Sequence, residues 1–136
     1  MTDLSDTIAR VEAATGPDRR LDAEVACAVV FRDLRPAEPD DHKEYQRGYL
    51  PSRGDIWTPT GFLMADNYTS SINAALTLLP KGMEFELTNL YGVAAVGMGL
   101  NTGSPCYARR EDGNITLALL SAILRARQAM QMEASS

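Results

Sequence analysis

The chain has 136 residues, of which 45% are hydrophobic and 23% charged, and a formal net charge of −5. A chain of that length buries an adequate core as one domain, and those proportions exclude a wholly disordered or fibrous protein. The acidic balance argues against a nucleic-acid partner, whose phosphates draw affinity from clustered Lys and Arg. The pairs Arg109-Arg110 and Arg125 with Arg127 read instead as solvated surface.

Leu4, Ile8 and Val11 predict a short amphipathic helix near residues 3–14, which Thr2 can cap and Gly16-Pro17 ends. A second helix is expected at 18–31. Asp18 is its N-cap, Leu21, Val25, Ala28 and Val29 form its apolar stripe, and Asp22 and Glu24 stand near its positive end. Cys27 falls on this helix and Cys106 on a later strand. They lie far apart without CxxC spacing, so two reduced thiols are expected rather than a disulfide.

From 32 to 67 the periodicity dissolves into an irregular insertion bearing Pro36, Pro39, Pro51 and Pro59, the acidic run Glu38 to Asp41, and Gly48, Gly54 and Gly61. The segment also carries Tyr45, Tyr49, Ile56, Trp57, Phe62, Leu63 and Met64, too many large apolar groups for a solvated linker. They either fold back over the core or form a contact surface. On the second reading Tyr45, Tyr49, Trp57 and Phe62 are the candidate partner contacts, since aromatic residues anchor interfaces.

Ile72, Leu76 and Leu79 recur at helical spacing and predict a helix at 69–79, which Pro80 and Gly82 terminate. Met83, Phe85 and Leu87 then alternate with Glu84, Glu86 and Thr88 as in a half-buried strand. The apolar run from Gly92 to Gly99 suits a central strand buried on both faces, and Cys106 to Arg109 returns antiparallel. Asn114 caps a final helix at about 115–131. Its face Leu117, Leu120, Leu124 is widened by Leu119, Ile123, Ala126 and Met130 beyond what one sheet face covers. That surplus predicts either a neighbouring helix or a second subunit, with Leu119, Ile123 and Met130 as candidate homodimer contacts.

Three stretches carry a resemblance: Leu21-Asp-Ala-Glu-Val-Ala-Cys-Ala, Tyr68-Thr-Ser-Ser-Ile-Asn-Ala-Ala-Leu-Thr-Leu-Leu-Pro-Lys-Gly82, and Thr116-Leu-Ala-Leu-Leu-Ser-Ala-Ile-Leu-Arg-Ala-Arg127. They resemble the small domain of phage and prophage proteins called the phage ABA sandwich domain, named for helices on both sides of a sheet. Asn73, in place of an acidic residue, and Met83-Glu84-Phe85, in place of a tryptophan-rich strand, depart from its pattern. The resemblance implies an α-β-α sandwich and an accessory role in a phage or prophage, and it carries over no catalytic residue.

Chemistry-bearing patterns are sparse. His42, the single histidine, lies between Asp41 and Lys43 in the acidic insertion and reads as solvated. Ser104 and Cys106 flank a proline without a GxSxG elbow, and the dispersed Cys and His do not make a zinc site. Glu38, Asp40, Asp41 and Glu44 do not match a calcium loop. Gly97, Gly99 and Gly103 miss the GxGxxG spacing by one position.

No cofactor or metal is therefore expected. The windows fall short of the ~20 apolar residues that cross a bilayer, and Met1 to Asp6 lacks the basic start and apolar core of a secretory signal, so a cytoplasmic protein without a membrane partner is expected. The sequence predicts a single α+β domain with a short, mainly antiparallel sheet. It favours a non-catalytic accessory protein that binds a host or phage protein. The alternative is a protein that sequesters a small molecule such as a nucleotide signal, with phosphates at the helix N-termini of Asp18 and Asn114.

Overall fold

The computed structural model describes residues 4–38, 54–59, 61–88, 92–97 and 106–135; at residue 62 and residues 132–135 the description is of the backbone. Among these residues the fold is mixed α+β, with four helices and two antiparallel three-stranded sheets. The helices are α1 (Ser5–Ala13), α2 (Arg19–Val29), α3 (Ile72–Leu76) and α4 (Ile115–Ser135). One sheet joins β1 (Arg35–Pro36), β2 (Asp55–Thr58) and β3 (Gly61–Met64); the other joins β4 (Glu84–Thr88), β5 (Val93–Gly97) and β6 (Cys106–Arg109).

The second sheet has its strands where the sequence pattern puts them, but Phe85, expected on the buried side of β4, is 41% exposed, and Leu87 is the residue of that strand that packs on the core. β5 is its central strand, with Ala94, Ala95, Val96 and Gly97 buried. Small side chains let α4 approach, and Val96, Ala94, Ala108, Leu87 and Cys106 pack in the same apolar cluster as that helix. Gly92, at φ +59, begins the strand where a Cβ would stand 2.6 Å from the carbonyl oxygen of Arg110, so only glycine fits there.

α4 is the centre of the core. Leu117, Ala118, Leu119, Leu120, Ser121, Ala122, Ile123 and Leu124 are consecutive and all buried, because β5 and β6 cover one side of the helix, α1 another and α3 a third. Leu119 and Ile123 are each 0% exposed within the single chain. This corrects their reading as subunit contacts: the surplus apolar width of the helix is covered by neighbouring helices. Each such side chain contributes about 1.5–3 kcal/mol by leaving water.

Local chemistry sets the remaining boundaries. α2 starts as expected, with the Asp18 carboxylate accepting from the Leu21 N–H at 3.1 Å. Thr2 lies outside the described residues, and α1 instead begins after Leu4, whose side chain makes no cap and whose N–H donates to Gln128 Oε1 at 2.9 Å. α3 is shorter than its periodicity predicts. Ser71 caps it by accepting from the Ala74 N–H at 3.2 Å, and bonds of the i→i+3 type tighten the chain from Thr77 to Leu79 before Pro80. Ala75 of the helix and Leu78 of the turn after it are buried, while Ile72, Leu76 and Leu79 pack at the margin.

The segment 32–67, expected to be irregular, contributes β1, β2 and β3 where it is described. Ile56 is fully buried against α2, and the hairpin between β2 and β3 turns at Pro59 with Thr58 opposite Gly61. The helices thus lie between the two sheets: β4–β6 rests on α4, α4 on α1, α1 on α2, and α2 on β1 and β2. Helix cover expected on both faces of β4–β6 is found on one among the described residues; Glu84, Glu86, Thr88, Tyr107 and Arg109 stand exposed on the other.

Candidate contact surfaces

The sheet β1–β3 is fixed to the body by a polar clamp on α2. Asp22, fully buried, accepts from the Thr69 N–H at 2.7 Å through Oδ1 and from Arg19 Nη1 at 2.7 Å through Oδ2. The Arg19 guanidinium also donates to Asn67 Oδ1 at 2.6 Å and to the carbonyl oxygens of Asp66 and Ala65. Thr69 Oγ1 accepts from the Asp18 N–H at 2.9 Å. Burial pushes the Asp22 carboxyl up from its ordinary value, and the bonds from Thr69 and Arg19 pull it back. Gly54, at φ +75, lets the entry to β2 pass Arg19; a Cβ would stand 2.9 Å from the Arg19 carbonyl oxygen. A second arginine, Arg20, donates to Ala37 O at 2.5 Å and to Glu38 at 2.6 Å, holding the exit of β1.

On this anchored sheet Trp57 stands half-buried opposite Arg35 of β1, whose guanidinium carbon is 4.7 Å from the indole centroid. Phe62 is its ladder partner in β3, and Leu63 and Met64 of the same strand are 44% and 59% exposed. Two of the four aromatic residues singled out in the sequence therefore occupy adjacent ladder positions. Tyr45 and Tyr49 lie outside the described residues, as do His42 and Ser104.

A cleft of about 440 Å³ lies on the opposite part of the molecule, between β6, the turn that follows it, α1 and α4. Its floor is ionic. Glu12 accepts from the Ser121 hydroxyl at 3.3 Å and pairs with Arg125. Arg110 grips Asp112 with Nε at 3.0 Å and Nη2 at 2.7 Å, and donates to the carbonyls of Val11 and Glu12 in the last turn of α1 and of Ala14 just after it. A pair expected as solvated surface thus includes a helix C-cap that is only 11% exposed.

The Asp112 carboxyl falls to about 2, chiefly through its bond with Arg110 and next through the Asn114 N–H, which donates to it at 3.0 Å. Asn114 caps α4 as expected, accepting from the Leu117 N–H at 3.1 Å. Arg127, also expected in solvent, is half-buried and donates to Leu78 O at 2.6 Å.

Reactive groups are muted. Cys27 and Cys106 are free thiols, and burial pushes Cys27 up to about 11, so it is protonated at neutral pH. Among the described residues no group of three His, Cys, Asp or Glu stands close enough to hold a metal ion. No described helix is long and apolar enough to cross a membrane. Met130, 44% exposed, borders a shallow hollow with Met83, Val96, Cys106 and Ala126.

Comparison with protein-family models, with curated proteins and with solved structures found no match.

Proposed function

We propose that this chain is a non-catalytic accessory protein of a phage or prophage that acts by binding a host or phage protein, using the sheet β1–β3 as its contact surface. The observation that carries the reading is the anchored ladder: Trp57 braced by Arg35, with Met64 exposed on the same face of the edge strand; Leu63, register partner of the buried Ile56, lies on the other face. Large apolar groups on a rigid, well-tethered element lose little entropy on docking, which is how interface hot spots gain affinity. The phage or prophage setting rests on the resemblance of the helical segments.

The experiment is affinity capture from a lysate of the native host, comparing wild type with the double variant Trp57→Ala, Met64→Asp. A protein retained by wild type and lost by a variant with unchanged melting temperature supports the reading. Equal retention by both overturns β1–β3 as the contact surface.

Sequestration of a nucleotide signal is the weaker alternative. The N-terminus of α2 is served by Asp18 and Thr69, and that of α4 by Asn114 and the Asp112 carboxylate, so each already holds its own acceptor. Native mass spectrometry of the freshly purified protein separates the two, since a sequestering protein carries a ligand of defined mass.

A further inference from the structure

The cleft beside β6 is bordered by a strand edge that pairs with no strand among the described residues. The Arg110 N–H donates to Gly92 O at 3.0 Å, so in the register Val93↔Arg109, Ala94↔Ala108, Ala95↔Tyr107, Val96↔Cys106 the bonded pairs are those of Ala108 and Cys106. The N–H and C=O groups of Tyr107 and Arg109 therefore point away from β5. They have no hydrogen-bond partner among the described residues. Both residues line the cleft, and both side chains are exposed.

Its charges are uneven in one place. Arg110 is matched by Asp112 and Arg125 by Glu12, which leaves Arg109 as the cation without a described ion pair, with Glu111 in the turn beyond the strand. We propose that β6 receives an extended peptide segment of a partner protein as an added strand of the sheet β4–β6, with an acidic residue of that segment opposite Arg109.

Backbone complementarity supplies the affinity in such strand addition, and the side chains opposite the ladder supply the preference. Cys106–Arg109 offers two outward residues, hence two donors and two acceptors, over about 13 Å of strand. Across a ladder, opposite charges attract and aromatic residues favour β-branched partners, which selects an acid at Arg109 and a valine, isoleucine or aromatic residue at Tyr107. Glu12, Ser121 and Arg125 line the cleft from the helices beside this edge. This surface is separate from β1–β3, and the proposal stands whether or not Trp57 contacts a partner.

The test is fluorescence anisotropy with two labelled, end-blocked heptapeptides of alternating threonine and valine, one with glutamate at its centre and one with lysine. The glutamate peptide is expected to bind wild type at least tenfold more tightly than the lysine peptide, and Arg109→Glu to reverse that order. Tyr107→Pro removes an N–H that the ladder to β5 does not use, a substitution edge strands tolerate, and is expected to lose both peptides without loss of folding. Trp57→Ala is expected to bind as wild type does.

Absence of binding by either peptide overturns the proposal, as does full binding by a folded Tyr107→Pro protein or an unchanged preference in Arg109→Glu. A dimer seen by light scattering and abolished by Tyr107→Pro also overturns it, assigning the edge to a second copy of the chain.

Discussion

Two arginines that look alike in the sequence do different work once their surroundings are fixed. Arg19 is the counter-ion of a buried carboxylate, Asp22, whose side chain is 1% exposed. Removing one partner of such a pair leaves the other uncompensated in low dielectric, so Arg19→Ala is expected to destabilise the protein by about 3–5 kcal/mol in urea unfolding at pH 7. The pH dependence has a definite sign. Without Arg19 the folded-state value of Asp22 rises further above its unfolded one, so the variant's deficit is full at neutral pH and shrinks as pH falls through the raised values, where the buried carboxyl takes up a proton.

Arg110 acts the other way, on a carboxylate in solvent. Asp112 is held to about 2 by Arg110, below its ordinary 3.8, so the interaction favours the folded state above pH 3.8 and is lost as pH falls from there to 2. Carboxyl-carbon NMR titration is expected to place the Asp112 midpoint near 2 in wild type, and Arg110→Ala to move it upward. An unmoved midpoint would dissociate the two groups.

Among the elements, α4 shows how a pattern in one dimension underdetermines packing in three. Its periodicity shows that the apolar face is wide, and the same width is compatible with a subunit interface or with two more helices. The neighbours decide: with α1 and α3 in place, Ile123 is enclosed. Ile123→Glu is therefore expected to unfold the protein, at a cost above about 4 kcal/mol, rather than yield a folded monomer. Circular dichroism and light scattering on the variant check this together. A folded variant of lower mass than wild type would restore the residue to an interface.

The strands show the same division. Alternation from Met83 to Thr88 and the small, apolar run after Gly92 made β4 and β5 legible, because a half-buried and a fully buried strand leave distinct signatures. β1, with two residues, and β2 and β3, with four each, are too short for periodicity to register between prolines and glycines. Their order comes from contacts distant in sequence: Arg19 to the loop before α3, Arg20 to the end of β1, and Ile56 to α2. Of the candidate contact residues, Trp57 was legible as a large aromatic in a segment too apolar to be solvated. The outer edge of β6, unpaired among the described residues, was not, since it depends on which neighbour takes each backbone group.

For the whole molecule, the sequence by itself determined the class and most element positions: an acidic α+β chain with capped helices at Asp18 and Asn114, a break at Pro80, and a central strand of small apolar residues. These are local properties, written in capping side chains, backbone restriction and the periods of 3.6 and 2. Only the tertiary structure decided that the helices lie between two sheets, that Asp22 is buried while Tyr107 is exposed, and that Leu119 faces its own chain. Burial and pairing are relations between segments far apart in the chain, as in the bonds of Arg110 to α1 and of Leu4 to Gln128, and one segment's composition does not encode which partner reaches it first.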